Sequence, residues 1–368
     1  MNKSVLCLIG TRPEAIKMAP VILALRQHQW LQVRVCATAQ HRELLDEALA
    51  IFGIAKDIDL NVMTPNQSLS SLTARLVSGI DQVLANEQPD IVLAQGDTTT
   101  VLSAALACFY QRIPFGHIEA GLRTGDKHNP FPEEMNRVLT GHLSTLHFAP
   151  TEKAKNALLS EGFAADSIYV TGNTVIDSLL HIANTKPTHG LSLPKDKRLV
   201  LLTAHRRENF GNPLREVFRA MQTLTQRNPN IHVIYPVHPN PNVREPAIAT
   251  LAHNKNITLC SPLDYRQLVA LLSSVDFVIT DSGGIQEEAP ALCKPVLVLR
   301  EETERPEAIE AGVAMLVGTR HDDIVNASER LLTDAETRRR MSSGGSPYGD
   351  GHAAVRIVEA LGRFMTFS

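Results

Sequence analysis

The feature that most constrains this chain is an alternation kept up along its whole length. Short, continuous apolar runs rich in Val, Ile and Leu are separated by amphipathic stretches of helical length. A strand that is apolar throughout must be covered on both faces, and a series of such strands joined by helices builds parallel sheets between helical layers. In the first half, Ser4–Ile9, Val33–Ala37, Ile91–Gln95, Phe115–Ile118, Leu146–Ala149 and Ile168–Thr171 read as strands. Glu14–His28, Arg42–Phe52, Leu69–Ala85 and Thr99–Tyr110 read as helices between them. The second half repeats the rhythm with strands at Leu199–Thr203, His232–Pro236, Ile257–Cys260, Phe277–Thr280, Val296–Leu299 and Met315–Val317. The pattern predicts an α/β chain of two doubly wound domains.

The length of 368 residues suits two domains of ordinary size. The expected break lies near 185–197, where Pro187, Gly190, Pro194 and a cluster of Lys and Asp interrupt the periodicity. The expected domains are therefore 1–185 and 197–350. A final amphipathic stretch, His352–Phe364 within 352–368, is either the last helix of the second domain or a helix crossing back onto the first.

Composition narrows the partners. With 36 Lys and Arg against 39 Asp and Glu, the chain carries −3, which argues against a broad nucleic-acid surface and against a polybasic membrane anchor. The longest apolar region, Ile91–Tyr110, is broken by Gln95, Asp97 and three threonines, so no membrane span is expected. Val5–Ile9 is too short for a signal segment. The five cysteines form no C-x-x-C pair and lie in apolar runs, which reads as reduced core thiols and a cytoplasmic protein.

Open parallel sheets bind ligands beyond the carboxyl ends of their strands. Polar clusters stand at those ends repeatedly: Gly10-Thr11-Arg12-Pro13-Glu14, Gly96-Asp97-Thr98, Glu119-Ala120-Gly121, His205 to Asn209, and Asp281-Ser282-Gly283-Gly284. The last follows a strand and opens a helix, so its backbone N–H groups and the helix dipole suit a phosphate or diphosphate, while Glu288 lies one turn on, within reach of a ribose. An empty tight turn is the plainer alternative. Gly10 to Lys17 superficially resembles a P-loop but lacks its second glycine and its Lys-Ser/Thr pair, and no G-x-G-x-x-G follows the first strand.

Asp97, Glu119 and Glu133 are the carboxylates to weigh. At strand ends they suit acid/base chemistry. Asp97 taken alone reads as a helix cap, and Glu133 with Arg137 as an i,i+4 salt bridge. Among the 14 histidines no zinc spacing occurs, so no metal is expected. His117 and His147, inside apolar runs, read as satisfied core histidines.

Taken together these clusters are familiar. Gly10 to Lys17, Gln40 to Glu43, Gly96 to Thr98, His117 to Arg123, Pro132 to Arg137, His205 to Asn209, Asp281 to Glu288 and Glu304 to Glu307 stand in the order seen in the non-hydrolysing UDP-N-acetylglucosamine 2-epimerases, which the chain resembles from its first strand to about Gly318. The resemblance implies two Rossmann-like domains facing across a cleft, the GT-B arrangement. It also implies reversible conversion of UDP-N-acetylglucosamine to UDP-N-acetylmannosamine with no cofactor. UDP is eliminated to a 2-acetamidoglucal and added back, with the C2 proton returned to the other face. By the same resemblance Asp97, Glu119 and Glu133 form the acid/base set, and His205 neutralises the departing diphosphate. Ser282, Gly283 and Gly284 hold that diphosphate, Glu288 holds the ribose, and Arg12, Lys17, Arg137 and Arg305 complete the cationic lining.

Regulated bacterial members bind a second UDP-N-acetylglucosamine through residues matching Gln40, His41, Arg206 and Glu208, and this chain has Glu43 where those members carry Gln. Family members are usually homodimers that supply precursors of cell-surface polysaccharide. Three alternatives stay open on the residues alone: a hydrolysing epimerase, a GT-B glycosyltransferase using a UDP-sugar, and a non-catalytic nucleotide-sugar sensor. The trio of carboxylates counts against the sensor.

Overall fold

A computed structural model describes residues 3–38, 42–64, 67–343 and 345–367. Its contacts divide the chain into two compact units, Met1–Ser178 with Tyr348–Ser368, and Leu179–Pro347. The first unit holds seven parallel strands: β1 (Lys3–Ile9), β2 (Leu31–Ala37), β3 (Ile58–Asp59), β4 (Ile91–Gln95), β5 (Phe115–Ile118), β6 (Leu146–Ala149) and β7 (Ile168–Val170). Their order across the sheet is β3-β2-β1-β4-β5-β6-β7. The second unit holds β8 (Arg198–Thr203), β9 (Ile231–Pro236), β10 (Ile257–Cys260), β11 (Phe277–Thr280), β12 (Val296–Val298) and β13 (Ala314–Leu316), ordered β10-β9-β8-β11-β12-β13. Both sheets are parallel throughout.

The apolar runs fold as they do because helices cover both faces of each sheet. All five residues of β4 are buried, and Leu6, Leu8, Val92 and Ala94 pack with Leu76, Ile80, Ala104 and Cys108 of the neighbouring helices. In the second unit Val200, Leu202, Val233 and Ile279 pack with Val217, Phe218, Met221 and Leu224. Each unit reverses its strand order once, between β1 and β4 in the first and between β8 and β11 in the second. At such a reversal the connections leave for opposite faces of the sheet, and a crevice opens at the strand ends. The polar clusters after β1 and β4, and after β8 and β11, therefore flank the two reversals.

Several expectations are corrected. The two-residue β3, which pairs Cys36 with Ile58 and Ala37 with Asp59, is too short to show a period in sequence. The division of the chain falls within the helix Thr174–Asn184 rather than at 185–197. Its first turns are tied to the first unit, where Ser178 Oγ donates to the Ile16 carbonyl at 2.5 Å. Asp177 accepts the backbone N–H groups of Ala353 (3.2 Å) and Ala354 (2.9 Å), which open the final helix Ala353–Phe367 of the same unit.

Cys7, Cys36 and Cys108 are core thiols, and burial pushes those of Cys7 and Cys36 up to about 12. Cys293 departs from the core reading and is exposed in a left-handed turn (φ 59°) after the helix Gly283–Ala291. Among the described residues no helix is long and apolar enough to cross a membrane.

Candidate active site

In the first unit the site is built from the loops after β1, β4 and β5 and from the helix Glu133–Leu143. The loop after β1 enters the helix Arg12–Arg26 through a capping box. Thr11 Oγ1 accepts the Glu14 N–H at 3.4 Å, while Glu14 Oε2 accepts the N–H groups of Gly10 (2.5 Å) and Thr11 (3.0 Å). Gly10 belongs to close packing rather than to a phosphate cradle, because a Cβ there would stand 2.5 Å from Thr100 Oγ1. The buried Glu14 also accepts from Thr98 Oγ1 at 2.6 Å, so one carboxylate ties the loops on both sides of the β1–β4 reversal. Burial pushes the Glu14 carboxyl up to about 7, against those hydrogen bonds.

Asp97 does not cap the helix Thr99–Gln111. The N-cap is Thr98, and Asp97 Oδ2 meets Arg137 Nη2 at 3.0 Å instead. Asn136 Nδ2 donates to the Asp97 carbonyl at 2.8 Å and so holds the backbone behind the carboxylate. Arg137 turns to Asp97 and to Glu134 (3.4 Å) rather than to Glu133, which corrects the i,i+4 pairing. Glu134 Oε1 accepts the N–H groups of Thr124 and Gly125, each at 3.0 Å, while its Oε2 faces Arg137.

Glu119 stands in the left-handed region at φ 67°, a conformation that a non-glycine residue adopts only when its surroundings hold it there. Its carboxylate accepts from Lys17 Nζ (2.6 Å), from Asn173 Nδ2 (2.8 Å) and from Gln95 Nε2. Two residues on, Gly121 (φ 89°) brings the chain so close to the helix Glu152–Ser160 that a Cβ there would lie 2.2 Å from the Ala154 carbonyl oxygen.

The electrostatics of Asp97 tie these groups together. Burial raises its carboxyl above the usual range; Arg137 and Lys17 oppose the rise, and the charges of Glu119 and Glu133 add to it. Arg137, Glu119, Lys17 and Glu133 thus all act on Asp97. Arg12 is half-buried at the start of its helix and makes no ion pair among the described residues.

His117 and His147 sit side by side on β5 and β6, and burial lowers both to about 4, so both are neutral near pH 7. They are only partly satisfied. His117 Nε2 meets the Gly96 carbonyl at 2.7 Å, but Nδ1 of each ring has no hydrogen-bond partner among the described residues.

In the second unit the fully buried Asp281 organises the edge. Its Oδ2 accepts the N–H groups of His205 and Arg206, each at 2.8 Å, and Asn209 Nδ2 at 3.2 Å. His205 is 41% exposed, has Nδ1 3.7 Å from Asp281 Oδ1, and stacks on His238 with ring centroids 5.5 Å apart. Burial lowers its imidazole; Asp281 works against that shift, and His238 and Arg206 work with it. A weakly basic, partly exposed imidazole gains most from a proton when an anion arrives beside it.

The helix Gly283–Ala291 starts at Ser282, whose side chain makes no cap bond, and no acidic residue stands in its first turn. Its first N–H groups thus meet no competing carboxylate from their own helix. Among the described residues a Cβ at Gly284 would meet nothing within 4 Å, and one at Gly283 would meet only Arg206 Nη2, at 3.5 Å. Glu288 is buried and accepts from the Tyr265 hydroxyl at 2.9 Å. Arg305 is bonded to the buried Glu287, so its charge is already balanced. Glu208 pairs with Arg300 at 3.1 Å, and Gln40 and His41 lie outside the described residues.

Gln95, Asn173 and Tyr265 are partners that sequence reasoning did not single out, and it gave Glu14, Asn136 and Asp281 no contacts of their own. Gln95 and Asn173 were signalled only as polar residues ending or following apolar strands.

A family model described as UDP-N-acetylglucosamine 2-epimerase matches residues 23–362. The UDP-N-acetylglucosamine 2-epimerase of Escherichia coli K12 is 50% identical over 367 residues, 97% of this chain and 98% of that protein. The enzyme of the same name from Yersinia pestis is 50% identical over 368 residues, with 97% and 98% covered. The crystal structure of the Neisseria meningitidis UDP-GlcNAc 2-epimerase bound to UDP-GlcNAc superposes with a TM-score of 0.90 at 47% identity, over 98% of this chain and all of that one.

Proposed function

The chain belongs to the UDP-N-acetylglucosamine 2-epimerase family, and from that premise we propose that it interconverts UDP-N-acetylglucosamine and UDP-N-acetylmannosamine without hydrolysing either. The observation that carries the reading is the charged cluster around Asp97 in the first unit, on which Arg137, Glu119, Lys17 and Glu133 all act, with Lys17 bonded to Glu119 and Arg137 to Asp97. Carbon 2 of the sugar has no neighbouring carbonyl, so its proton is not acidic in the ground state. Departure of UDP from C1 with the bonding electron pair makes C1 cationic. Loss of the C2 proton to a carboxylate then forms the C1=C2 bond of a 2-acetamidoglucal.

In the return step a carboxylic acid delivers a proton to the other face of C2, and a diphosphate oxygen re-forms the bond at C1. Two faces need two differently placed acid/base groups. A carboxyl raised by burial, as in Asp97, holds a proton closer to neutral pH than an exposed one does. Lys17 and Arg137 steady the remaining negative charge. His205 and the N–H groups after Ser282 bind the diphosphate, which must be retained for the cycle to close, and Glu288 binds the ribose. The protein acts in the cytoplasm as a homodimer and supplies precursor for cell-surface polysaccharide.

Proton NMR of the purified protein with UDP-N-acetylglucosamine in D2O tests the reading. UDP-N-acetylmannosamine should appear with deuterium at C2. Accumulation of free N-acetylmannosamine and UDP would mean a hydrolysing enzyme, and an unchanged spectrum with UDP bound would overturn the epimerase.

A further inference from the structure

Glu119 keeps a left-handed backbone and a fixed carboxylate, and something must hold both. Its partners come from three places far apart in sequence: Lys17 on the first helix, Gln95 at the end of β4, and Asn173 just after β7. Asn173 has a particular geometry. Its Oδ1 accepts the Val175 N–H at 3.2 Å at the opening of the helix Thr174–Asn184, which leaves the Nδ2 side of the amide to face Glu119 Oε1 at 2.8 Å. The side chain is buried, 3% exposed.

Its backbone is pinned as well. The Asn173 N–H donates to the Tyr348 carbonyl at 2.6 Å. The chain packs so closely there that a Cβ on Gly172 would lie 3.3 Å from Gly349 Cα. The segment that returns to the first unit from the far end of the chain thus buttresses the loop that presents Asn173.

We infer that Asn173 is a positioning residue for the reaction, orienting the Glu119 carboxylate through its amide while the returning Tyr348–Gly349 segment holds its backbone. The inference rests on the reading of Glu119 as a member of the acid/base set. An amide donor fits only an oxygen that is accepting, so Asn173 selects one rotamer of the Glu119 carboxylate. Without that donor the carboxylate keeps Lys17 and Gln95 but loses the partner that comes from beyond β7, and its orientation is held less firmly.

Asn173→Asp separates this role from helix capping. Aspartate keeps an oxygen for the Val175 N–H but places a second carboxylate against Glu119. Asn173→Ser also keeps a capping oxygen, adds no charge, and is too short to reach Glu119. Turnover, UDP affinity and thermal melting are measured for both variants, with Glu119→Gln alongside.

Asn173→Asp should lose about 100-fold in kcat at pH 8, with UDP affinity within about twofold of the parent. Its activity should recover as pH falls, because two carboxylates in contact share a proton and the protonated one again donates. Lys17, Asp97 and His117 also face Glu119, but they are common to both proteins. The difference in pH profile therefore belongs to residue 173. Asn173→Ser should lose about tenfold at all pH values, and it carries the test alone if the aspartate variant does not fold.

Both variants within twofold of parental kcat, with Glu119→Gln inactive, would overturn the inference and leave Asn173 a helix cap. Parental turnover in Glu119→Gln would overturn the underlying reading of Glu119, and the inference with it.

Discussion

Replacing Glu14 by glutamine removes one buried charge while its hydrogen bonds persist. The amide oxygen takes over the N–H groups of Gly10 and Thr11, and the amide nitrogen donates to the Thr98 hydroxyl, which turns to accept. In the parent the carboxyl ordinarily titrates at 4.5 and is pushed to about 7 in the fold. The native state therefore holds one more proton than the unfolded chain between those values. The contribution is fully present below 4.5, is lost as pH rises, and is gone once pH passes the folded value near 7.

At 1.36 kcal/mol per pH unit the whole effect is roughly 3 kcal/mol, of which roughly 2.5 kcal/mol falls between pH 5 and 8. For a unit of this size that corresponds to roughly 5–10 °C in melting temperature. Calorimetry on both proteins at the two pH values measures it. From pH 5 to pH 8 the parent should lose that much relative to Glu14→Gln in the transition that melts the first unit. A difference between the two proteins that is the same at both pH values would refute the argument, because every other titrating group is common to them.

Three further outcomes are expected. Asp97→Asn should cut turnover by about 10²–10⁴ and leave UDP affinity nearly unchanged, by calorimetric titration; loss of folding would instead make Asp97 a structural partner of Arg137. Ser282→Leu, at the opening of the helix Gly283–Ala291, should weaken UDP binding by at least about tenfold, and unchanged affinity would sink the diphosphate role. Gly121→Ala combines a left-handed φ of 89° with a Cβ 2.2 Å from the Ala154 carbonyl oxygen. It should lower stability by about 2–4 kcal/mol in urea unfolding, and an unmoved midpoint would mean that the loop shifts freely.

The sheets were legible because strands buried on both faces must be apolar along their whole length, and β4 and β5 are buried at every residue. Once the strand ends were known, Asp97, Glu119 and the Asp281–Gly284 turn followed, since a parallel sheet collects polar loops at one edge. What each side chain touches did not follow. Asp97 looked like a cap because its neighbour Thr98 opens a helix, yet its partner Arg137 lies on another helix. Gln95 and Asn173 have no periodic signature, and they stand 24 and 54 residues from the Glu119 they hold. Arg137 chose Glu134 over Glu133 because tertiary geometry, not spacing alone, decides which neighbour on a helix is met. The division of the chain lies a few residues before the break in periodicity for a related reason. Pro and Gly mark where periodicity stops, whereas the bonds of Asp177 and Ser178 tie the first turns of a regular helix to the first unit.

The first unit is made of two separate pieces of chain, and synthesis delivers them in a fixed order. Its strands leave the ribosome first, then the whole of Leu179–Pro347, and only afterwards the residues that complete it. Until then Asp177 has no helix end to receive, and Asn173 lacks the carbonyl of Tyr348. A nascent chain ordinarily completes its N-terminal domain before the next one emerges. Here the second unit can mature while the first is still open, and a chain cut short anywhere in between carries the carboxylate cluster without the Tyr348 carbonyl that pins Asn173.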